Sequence, residues 1–166
     1  KVIDSVSLRL SNVYGPSLNE SSSYDRGILS KITKMCFENK TIPLYGSGNY
    51  IRDYVYIDDV IDALLLTSIV NYTKIRKNSE IVFNVSSGKG TYVKTVFYLI
   101  AKEVEIITSK NINIESAPWP SQVSEIEKRN FIGSAERLKS LTGWSAKTSI
   151  EDGVHFLVNH YSKEFM

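Results

Sequence analysis

The sequence predicts an α/β fold, because strand-like runs alternate with segments of helical periodicity along almost its whole length. Residues 6–10 have the pattern of a buried strand, and residues 81–85 form the continuous apolar run expected of a strand that is covered on both faces. With 166 residues, 42% of them hydrophobic, the chain can bury the core of one ordinary domain or of two interdependent lobes. It contains no internal repeat, so repeat architectures are excluded.

The first half of the chain is predicted to hold three strands and two helices. In order, these are a strand at residues 6–10, a turn at 12–16, a surface loop at 17–23, a helix at 25–39, strands at 42–45 and 50–57, and a helix from 59 to about 71. Gly46 and Gly48 permit the backbone turn between the second and third strands. Asp58 is the predicted N-cap of the second helix. Its predicted inward face carries Val60, Ile61, Leu64, Leu65 and Ser68.

The second half alternates in the same way. The predicted elements are a strand at residues 81–85, a helix capped by Thr91, a weak strand at 112–114, a loop at 118–120, a short helix that Ser134 caps and Gly143 ends, and a last helix that opens with the capping box of Thr148 and Glu151. The helix after Thr91 carries an apolar stripe of Val93, Val96, Phe97, Ile100, Ala101 and Val104. The inward residues predicted for the last helix are Ile150, Val154, Leu157, Val158 and Tyr161. The polar segment at 121–129 has no assignment.

Composition excludes several classes of function. The net charge is +2, from 20 basic and 18 acidic residues, and no run of like charges occurs in the sequence. The sequence therefore predicts no basic patch of the kind that binds nucleic acid or an anionic membrane. The longest apolar runs are far shorter than the ~20 residues that span a bilayer, and no signal peptide opens the chain, which favours a cytoplasmic location. The single cysteine, Cys36, lies on the apolar side of a helical pattern and is predicted to be a core residue.

Arg52 is the first candidate for a functional residue. It lies in a predicted strand beside Gly46 and Gly48, where the guanidinium can present its fixed fork of donors to phosphate oxygens while the glycine backbone lets a ligand approach. The alternative is a surface ion pair of Arg52 with Asp53 or Asp59. The residues by themselves leave both interpretations open.

Two further polar or aromatic residues are candidates for ligand contact. Tyr45 has a flat face next to open glycine backbone, which suits stacking on a nucleobase, although a strand tyrosine also serves in packing. Asn12 follows the first strand, where open α/β sheets place ligands, and its amide can both donate to a phosphate and accept from a sugar hydroxyl. An Asx turn ahead of Gly15 explains Asn12 equally well.

Three other signals do not predict chemistry. Tyr98 and Lys102 have the spacing of a catalytic Tyr-x-x-x-Lys pair but fall in a predicted packing helix. The segment from Ser87 to Thr91 resembles the end of a phosphate-binding loop, but the earlier glycine and the residue after the lysine do not fit, so it is interpreted as a strand-to-helix turn. His155 and His160 share no metal-ligand spacing with a cysteine or carboxylate cluster, and no metal site is predicted.

Two segments, Asn12-Val13-Tyr14-Gly15-Pro16 and the run from Gly46 to Val60, together resemble the C-terminal half of the extended short-chain dehydrogenases, the NAD-dependent nucleotide-sugar epimerases and dehydratases. The similar motifs continue in order to Leu141-Thr142-Gly143-Trp144 and the segment at 147–153. The resemblance implies a C-terminal remnant of a Rossmann-type parallel sheet plus the small mixed α/β lobe that binds substrate. Residues 1–166 would form this substrate-binding portion, and the N-terminal NAD-binding portion is expected to be absent from the chain.

The same resemblance implies roles for individual residues. Substrate contacts fall on Asn12, on Ile28 through its backbone, on Pro43 and Tyr45 at the nucleobase, and on Arg52 at the diphosphate. The residues expected to face the nicotinamide end of NAD are Leu10, Ser11 and Val13. No catalytic residue is expected in this chain, since the family's proton-exchanging Tyr-x-x-x-Lys precedes the strand at residues 6–10.

The sequence departs from the family pattern at two places near the expected ligand. The segment from Ala117 to Gln122 lacks the arginine of an Arg-Pro-Gly-Asp run that clamps the diphosphate, and the nearest basic residues that could substitute for it are Lys128 and Arg129. Tyr50 stands where the family usually has glutamine.

Two functions are compatible with these observations. The first is a fragment of an NAD-dependent epimerase or dehydratase that binds a UDP- or dTDP-sugar and is inactive alone. NAD is expected to be held only by the intact enzyme, which family analogy predicts to be a homodimer. The second is a non-catalytic nucleotide-sugar-binding module. For the fragment we expect the strands at residues 6–10 and 81–85 to form only a remnant of a parallel sheet, with an uncovered apolar face that favours self-association.

Overall fold

The computed structural model describes residues 5–16, 27–70 and 81–166. In chain order its elements are β1 (Ser7–Leu10), β2 (Asn12–Tyr14), α1 (Ile28–Phe37), β3 (Ile42–Tyr45), β4 (Ile51–Tyr56), α2 (Ile57–Ser68), β5 (Val82–Val85), β6 (Gly90–Tyr92), α3 (Val93–Thr108), β7 (Ile114–Ala117), a 3-10 helix (Glu125–Lys128), α4 (Glu136–Thr142) and α5 (Ile150–Phe165). The predicted α/β class is confirmed. The surface loop predicted at 17–23 and the predicted helix start at Asp25 lie outside the described residues.

Strands β1 and β5 form a two-stranded parallel sheet, in register from Ser7 with Val82 to Leu10 with Val85. Parallel neighbours need a crossover connection, and here all elements from β2 to α2 stand between them in the chain. The small parallel sheet expected from residues 6–10 and 81–85 is therefore confirmed. The burial predicted for these strands was wrong, because Ser7, Arg9 and Leu10 are exposed in β1 and Asn84 is exposed in β5. With two strands, the sheet leaves one edge of each strand and part of its faces uncovered, and Leu10 at the carboxyl end of β1 is about half exposed.

Strand β4 is the centre of a three-stranded sheet, with β2 parallel on one side and β6 antiparallel on the other. The turn predicted at residues 12–16 was wrong in its first half, because Asn12 to Tyr14 extend and pair with Tyr54 to Tyr56. A third sheet pairs β3 with β7 in parallel. Strand β7 begins at Ile114, so the weak strand predicted at 112–114 is displaced toward the carboxyl end.

Two hydrophobic clusters hold these layers together. The larger one lies among α1, α3, α5 and strands β2 to β4, and it buries the central stripe of α3 and the inward face of α5 as predicted. Cys36 is fully buried in it, and burial raises the pKa of its thiol to about 12, which confirms a core cysteine. The smaller cluster packs α2, α4 and β5 around Trp144.

The inward face predicted for α2 was wrong except at Val60, which is buried as predicted. Ile61, Leu64 and Leu65 are exposed, and the buried residues are Asp59, Val60, Ala63 and Thr67. The helix also starts at Ile57, with Tyr56 rather than Asp58 as N-cap. The physical reason is Asp59, whose carboxylate accepts the backbone N–H groups of Lys147 (3.1 Å) and Thr148 (3.0 Å) and therefore turns its side of the helix inward.

The starts of α3, α4 and α5 each differ from prediction by one residue. Tyr92, not Thr91, is the N-cap of α3, and Ala135, not Ser134, is that of α4. In α5 the predicted box is displaced by one residue, because Ser149 Oγ accepts from Asp152 N (3.0 Å) and donates to its carboxylate (2.7 Å). Gly143 ends α4 with φ of 74° as predicted. Among the helices described, none is long and apolar enough to cross a membrane.

Candidate functional site

A cavity of about 250 Å³ opens where the carboxyl half of β3, strand β4 and the first turns of α1 and α3 meet the loop after β7. Its lining residues are Asn12, Ile28, Leu44, Tyr45, Tyr50, Arg52, Tyr54, Val93, Phe97, Trp119 and Glu127. The structure thus brings together four of the predicted substrate residues, Asn12, Ile28, Tyr45 and Arg52. The cavity combines one cation with a mostly apolar and aromatic wall, the usual composition of a small-molecule site.

Pro43 does not line this cavity. It lies in the amino-terminal half of β3, whereas only the carboxyl half of the strand, Leu44 and Tyr45, borders the cavity. Leu10, Ser11 and Val13 also lie outside the cavity lining. They stand instead at the carboxyl end of the β1–β5 sheet and along β2, where Ser11 N donates to Val85 O (3.0 Å) and Val13 packs against the smaller core.

Arg52 reaches the edge of the cavity from β4, and 14% of its side chain is exposed. Its guanidinium donates to the carbonyl oxygens of Glu127 and Arg129 and to that of Ile51 (3.1 Å). The Glu127 carboxylate is 3.9 Å from Nη2. The alternative pairing with Asp53 or Asp59 was wrong, because both of those carboxylates accept backbone N–H groups elsewhere.

Asp53 follows Arg52 in the chain but is fully buried. Its Oδ1 accepts from the backbone N (2.8 Å) and the hydroxyl (2.8 Å) of Ser87, and its Oδ2 accepts from the N–H groups of Gly88 (3.0 Å) and Gly133 (3.0 Å). The segment that resembles a phosphate-binding loop therefore cradles a carboxylate of the protein itself. The segment connects β5 to the short strand β6, which precedes α3, so its interpretation as a strand-to-helix turn was wrong in the element that follows it.

Asn12 donates from Nδ2 to the carbonyl oxygen of Asp53 (3.1 Å). The amide bridges β2 to β4 on the side of the cavity, so an Asx turn is not its role here. Ile28 opens α1, whose N-cap Gly27 has no side chain to accept from the first N–H groups of the helix. Both residues thus place polar backbone or amide groups beside the cavity.

The far wall of the cavity is aromatic. Tyr45 and Trp119 stack, with ring centroids 5.7 Å apart and planes 22° from parallel. Tyr50 meets Trp119 edge-on at 5.4 Å, and the indole Nε1 donates to the Tyr50 hydroxyl (3.1 Å). Sequence reasoning assigned Trp119 to a loop and missed its place in the site; a tryptophan between two prolines was the available signal.

Tyr54 is the most buried phenol of the cavity wall. Burial raises the pKa of this hydroxyl to about 12, and the positive charge of Arg52 opposes that rise. Tyr54 is therefore neutral at physiological pH and keeps its proton as a hydrogen-bond donor.

The motifs judged uninformative lie away from the cavity. Tyr98 and Lys102 line a different, shallow groove beside α5. His155 and His160 lie on α5 near Glu103 and Glu164, respectively. Within the described ranges, no group of three or more potential metal-ligating side chains occurs. A second cavity of about 340 Å³, bounded by Ser86 and Lys139, contains none of the predicted site residues.

Comparison with known proteins identifies similar chains. The NAD dependent epimerase/dehydratase family matches residues 1–85. The chain is 32% identical to the dTDP-L-rhamnose 4-epimerase of Burkholderia thailandensis over 164 residues, which are 95% of this chain and 39% of that protein. It is 28% identical to the CDP-paratose 2-epimerase of Salmonella typhi over 92% of this chain and 43% of that protein.

Solved structures agree with these sequence matches. The UDP-glucose 4-epimerase of Thermotoga maritima, solved with UDP-glucose, superposes with a TM-score of 0.72 at 30% identity over 96% of this chain and 46% of that one. The UDP-glucose 4-epimerase of Thermus thermophilus, solved with NAD, superposes with a TM-score of 0.72 at 26% identity, over 95% of this chain and 46% of that one. The chain therefore spans less than half the length of each of these relatives and has the Rossmann-type epimerase fold over that span.

Proposed function

The chain belongs to the NAD dependent epimerase/dehydratase family, and we propose that it is the portion of such an enzyme that binds the nucleotide-diphosphate sugar. One observation carries the proposal. Asn12, Ile28, Tyr45 and Arg52, which come from four separate elements and were assigned to substrate by resemblance, line one cavity.

In this proposal Arg52, the positively charged residue that lines the cavity, binds the diphosphate. Main-chain carbonyls hold Arg52 in place and use three of its five N–H donors, two on Nη1 and one on Nη2. The fork proposed for a phosphate is therefore the Nε–H together with the remaining Nη2–H. The first turn of α1 adds backbone N–H groups at Ile28, and helix N-termini favour anions. The Asn12 amide then contacts the phosphate or the sugar.

The aromatic wall binds the nucleobase in the same proposal. Tyr45 supplies the flat face, and the apolar neighbours Leu44 and Phe97 exclude water from the stack. The named relatives use dTDP-, CDP- and UDP-sugars, all of them pyrimidine nucleotides. We therefore assign a UDP- or dTDP-sugar to this chain.

The reaction belongs to the whole enzyme, of which this chain spans less than half by comparison with its relatives. Bound NAD supplies hydride transfer to and from the sugar, and Leu10, Ser11 and Val13 are proposed to face its nicotinamide end. The position of these residues suits a dinucleotide, because they lie at the carboxyl end of the parallel β1–β5 sheet and beside it, and α/β sheets bind nucleotide cofactors at that end. The chain's own contribution is to bind the nucleotide and orient the sugar.

The test is calorimetric titration of the 166-residue chain with UDP-glucose, dTDP-glucose and ADP-glucose. Binding of the pyrimidine nucleotide sugars and weaker binding of ADP-glucose is the expected result, and a chain that binds none of them would refute the proposal. An assay of sugar conversion with added NAD, run on this chain and on the longest natural chain that contains it, separates the two functions. Conversion by the longer chain supports an enzyme, and binding without conversion by either supports a binding module.

A further inference from the structure

We infer that Tyr50 and Trp119 act as one unit that recognises the nucleobase and favours uracil or thymine over cytosine. This inference rests on the proposed function of the cavity and adds to it the residues that choose the base. Both residues stand where the sequence departs from the pattern of its family.

The spacing of the aromatic rings limits where a base can pack. Trp119 stacks on Tyr45 with a centroid separation of 5.7 Å. A third ring between them would need about 7 Å, since aromatic carbons pack about 3.5 Å apart. The base therefore does not insert between the two rings and packs across their open side, where parts of both the Tyr45 and the Trp119 side chains remain exposed.

The Tyr50 hydroxyl can donate one hydrogen bond to a ligand. Its oxygen accepts the indole N–H of Trp119 at 3.1 Å, and a hydroxyl has a single proton left to donate. Tyr50 also lines the cavity, so that this proton is available to an acceptor on the ligand. Uracil and thymine carry a carbonyl at position 4, whereas cytosine carries an amino donor there, which a hydroxyl donor does not match.

The surrounding backbone is shaped to hold this pair of rings. Gly46 has φ of 61°, and a Cβ at this position would lie 2.7 Å from Trp119 Nε1 and 2.8 Å from the Tyr50 hydroxyl. Gly46 N also donates to Ala117 O (2.9 Å), which fixes the strand that leads to Trp119. A side chain at position 46 would separate the two rings, so the contact depends on glycine at this position.

The experiment titrates UDP, dTDP and CDP into the wild-type 166-residue chain and into Trp119→Ala, Trp119→Phe, Tyr50→Phe and Arg52→Ala. Tyr98→Ala, which removes an exposed tyrosine outside the cavity, is the matched control. Affinity is measured by calorimetry, folding by thermal melts, and proximity of the base by tryptophan emission. The chain has two tryptophans, and Trp144 is buried but borders the second cavity. An emission change that Trp119→Phe abolishes therefore reports on Trp119.

We expect UDP to change the emission of the wild type and not that of Trp119→Phe. Trp119→Ala should bind UDP about 5- to 100-fold more weakly, the effect of losing one aromatic contact to a base. Tyr50→Phe should reduce the preference for UDP over CDP by about 3- to 10-fold, the effect of one hydrogen bond. Tyr98→Ala should bind like the wild type.

The results separate this inference from the proposed function. A wild type that binds no nucleotide, or binding that does not depend on Arg52, refutes the proposed function and the inference with it. Binding that depends on Arg52 but is unchanged in Trp119→Ala refutes the inference alone, as does an unchanged ratio of UDP to CDP affinity in Tyr50→Phe. Where Trp119→Ala melts below the assay temperature, Trp119→Phe and Tyr50→Phe decide.

Discussion

Arg52 and Asp53 are neighbours in the chain, but their side chains point to opposite faces of β4. The Arg52 guanidinium reaches the cavity and the carbonyls of Glu127 and Arg129, while the Asp53 carboxylate is fully buried against the turn at Ser87 and Gly88. Strand alternation is the reason, since successive residues point to opposite sides of a sheet. One dipeptide thus supplies the cation that lines the cavity and a buried carboxylate that fixes the neighbouring turn.

The first prediction concerns Arg52. Arg52→Ala should weaken binding of UDP-glucose by roughly 1.5–3 kcal/mol, the contribution of a charge-assisted hydrogen bond. Arg52→Lys should recover only part of this loss, because an ammonium cannot reproduce the bidentate fork. Calorimetric titration and a thermal melt of each variant measure the two effects, with the exposed Arg9→Ala as the control. Unchanged affinity in Arg52→Ala would remove the diphosphate assignment.

The second prediction concerns Asp53. Asp53→Asn replaces one carboxylate oxygen by an amino group that faces backbone N–H donors, so at least one buried hydrogen bond is lost. We expect a loss of about 2–4 kcal/mol in the free energy of unfolding, measured by urea denaturation. Asp62→Asn, which alters a half-exposed ion pair with Lys147, should change it by less than about 1 kcal/mol. Equal effects at the two positions would contradict the anchoring role.

The third prediction is a loss of stability at high pH. Burial raises the pKa of Tyr54 from 10.0 to about 12, so that between these values the folded state binds more protons than the unfolded state. The stabilisation is complete below pH 10 and is lost as the pH rises toward 12. Tyr54→Phe should therefore flatten the decline of the melting temperature above about pH 10. Burial also raises the pKa of the Cys36 thiol and of the Tyr14 and Tyr56 hydroxyls, so these groups add to the decline, the thiol from about pH 9 and the hydroxyls from about pH 10. A slope that Tyr54→Phe leaves unchanged would show that Tyr54 is not responsible.

The fourth prediction tests the orientation of α2. Leu65, which the apolar pattern places on the inward face, is 60% exposed, whereas Ala63 is fully buried. Leu65→Gln should change the free energy of unfolding by less than about 0.5 kcal/mol. Ala63→Leu should reduce it by about 1–3 kcal/mol through overpacking. If urea denaturation instead shows a loss of several kcal/mol in Leu65→Gln, the helix faces the core as the sequence pattern suggests.

Local patterns were sufficient for much of the scaffold. The apolar stripe of α3, the buried Cys36 and the αL glycine Gly143 follow from spacing and from the conformational freedom of one residue type. The strands that pair as β1 and β5 were also predictable as strands. Their burial was not, because β1 is mostly exposed and β5 exposes Asn84. Resemblance to a family added the set of residues that the cavity brings together.

Tertiary structure decided the features that depend on distant partners. The carboxylate of Asp53 is buried because its donors come from positions 34 to 80 residues away, and the Asp59 carboxylate finds its donors 88 and 89 residues away. These contacts set the face that α2 turns inward, against its apolar pattern. In the same way Trp119 joins Tyr50 across 69 residues. A sequence pattern reflects the conformational preferences of residues that are close in the chain, so it determined the helices and strands of this protein. Hydrogen bonds between remote segments determined how those elements face one another and which aromatic rings line the cavity.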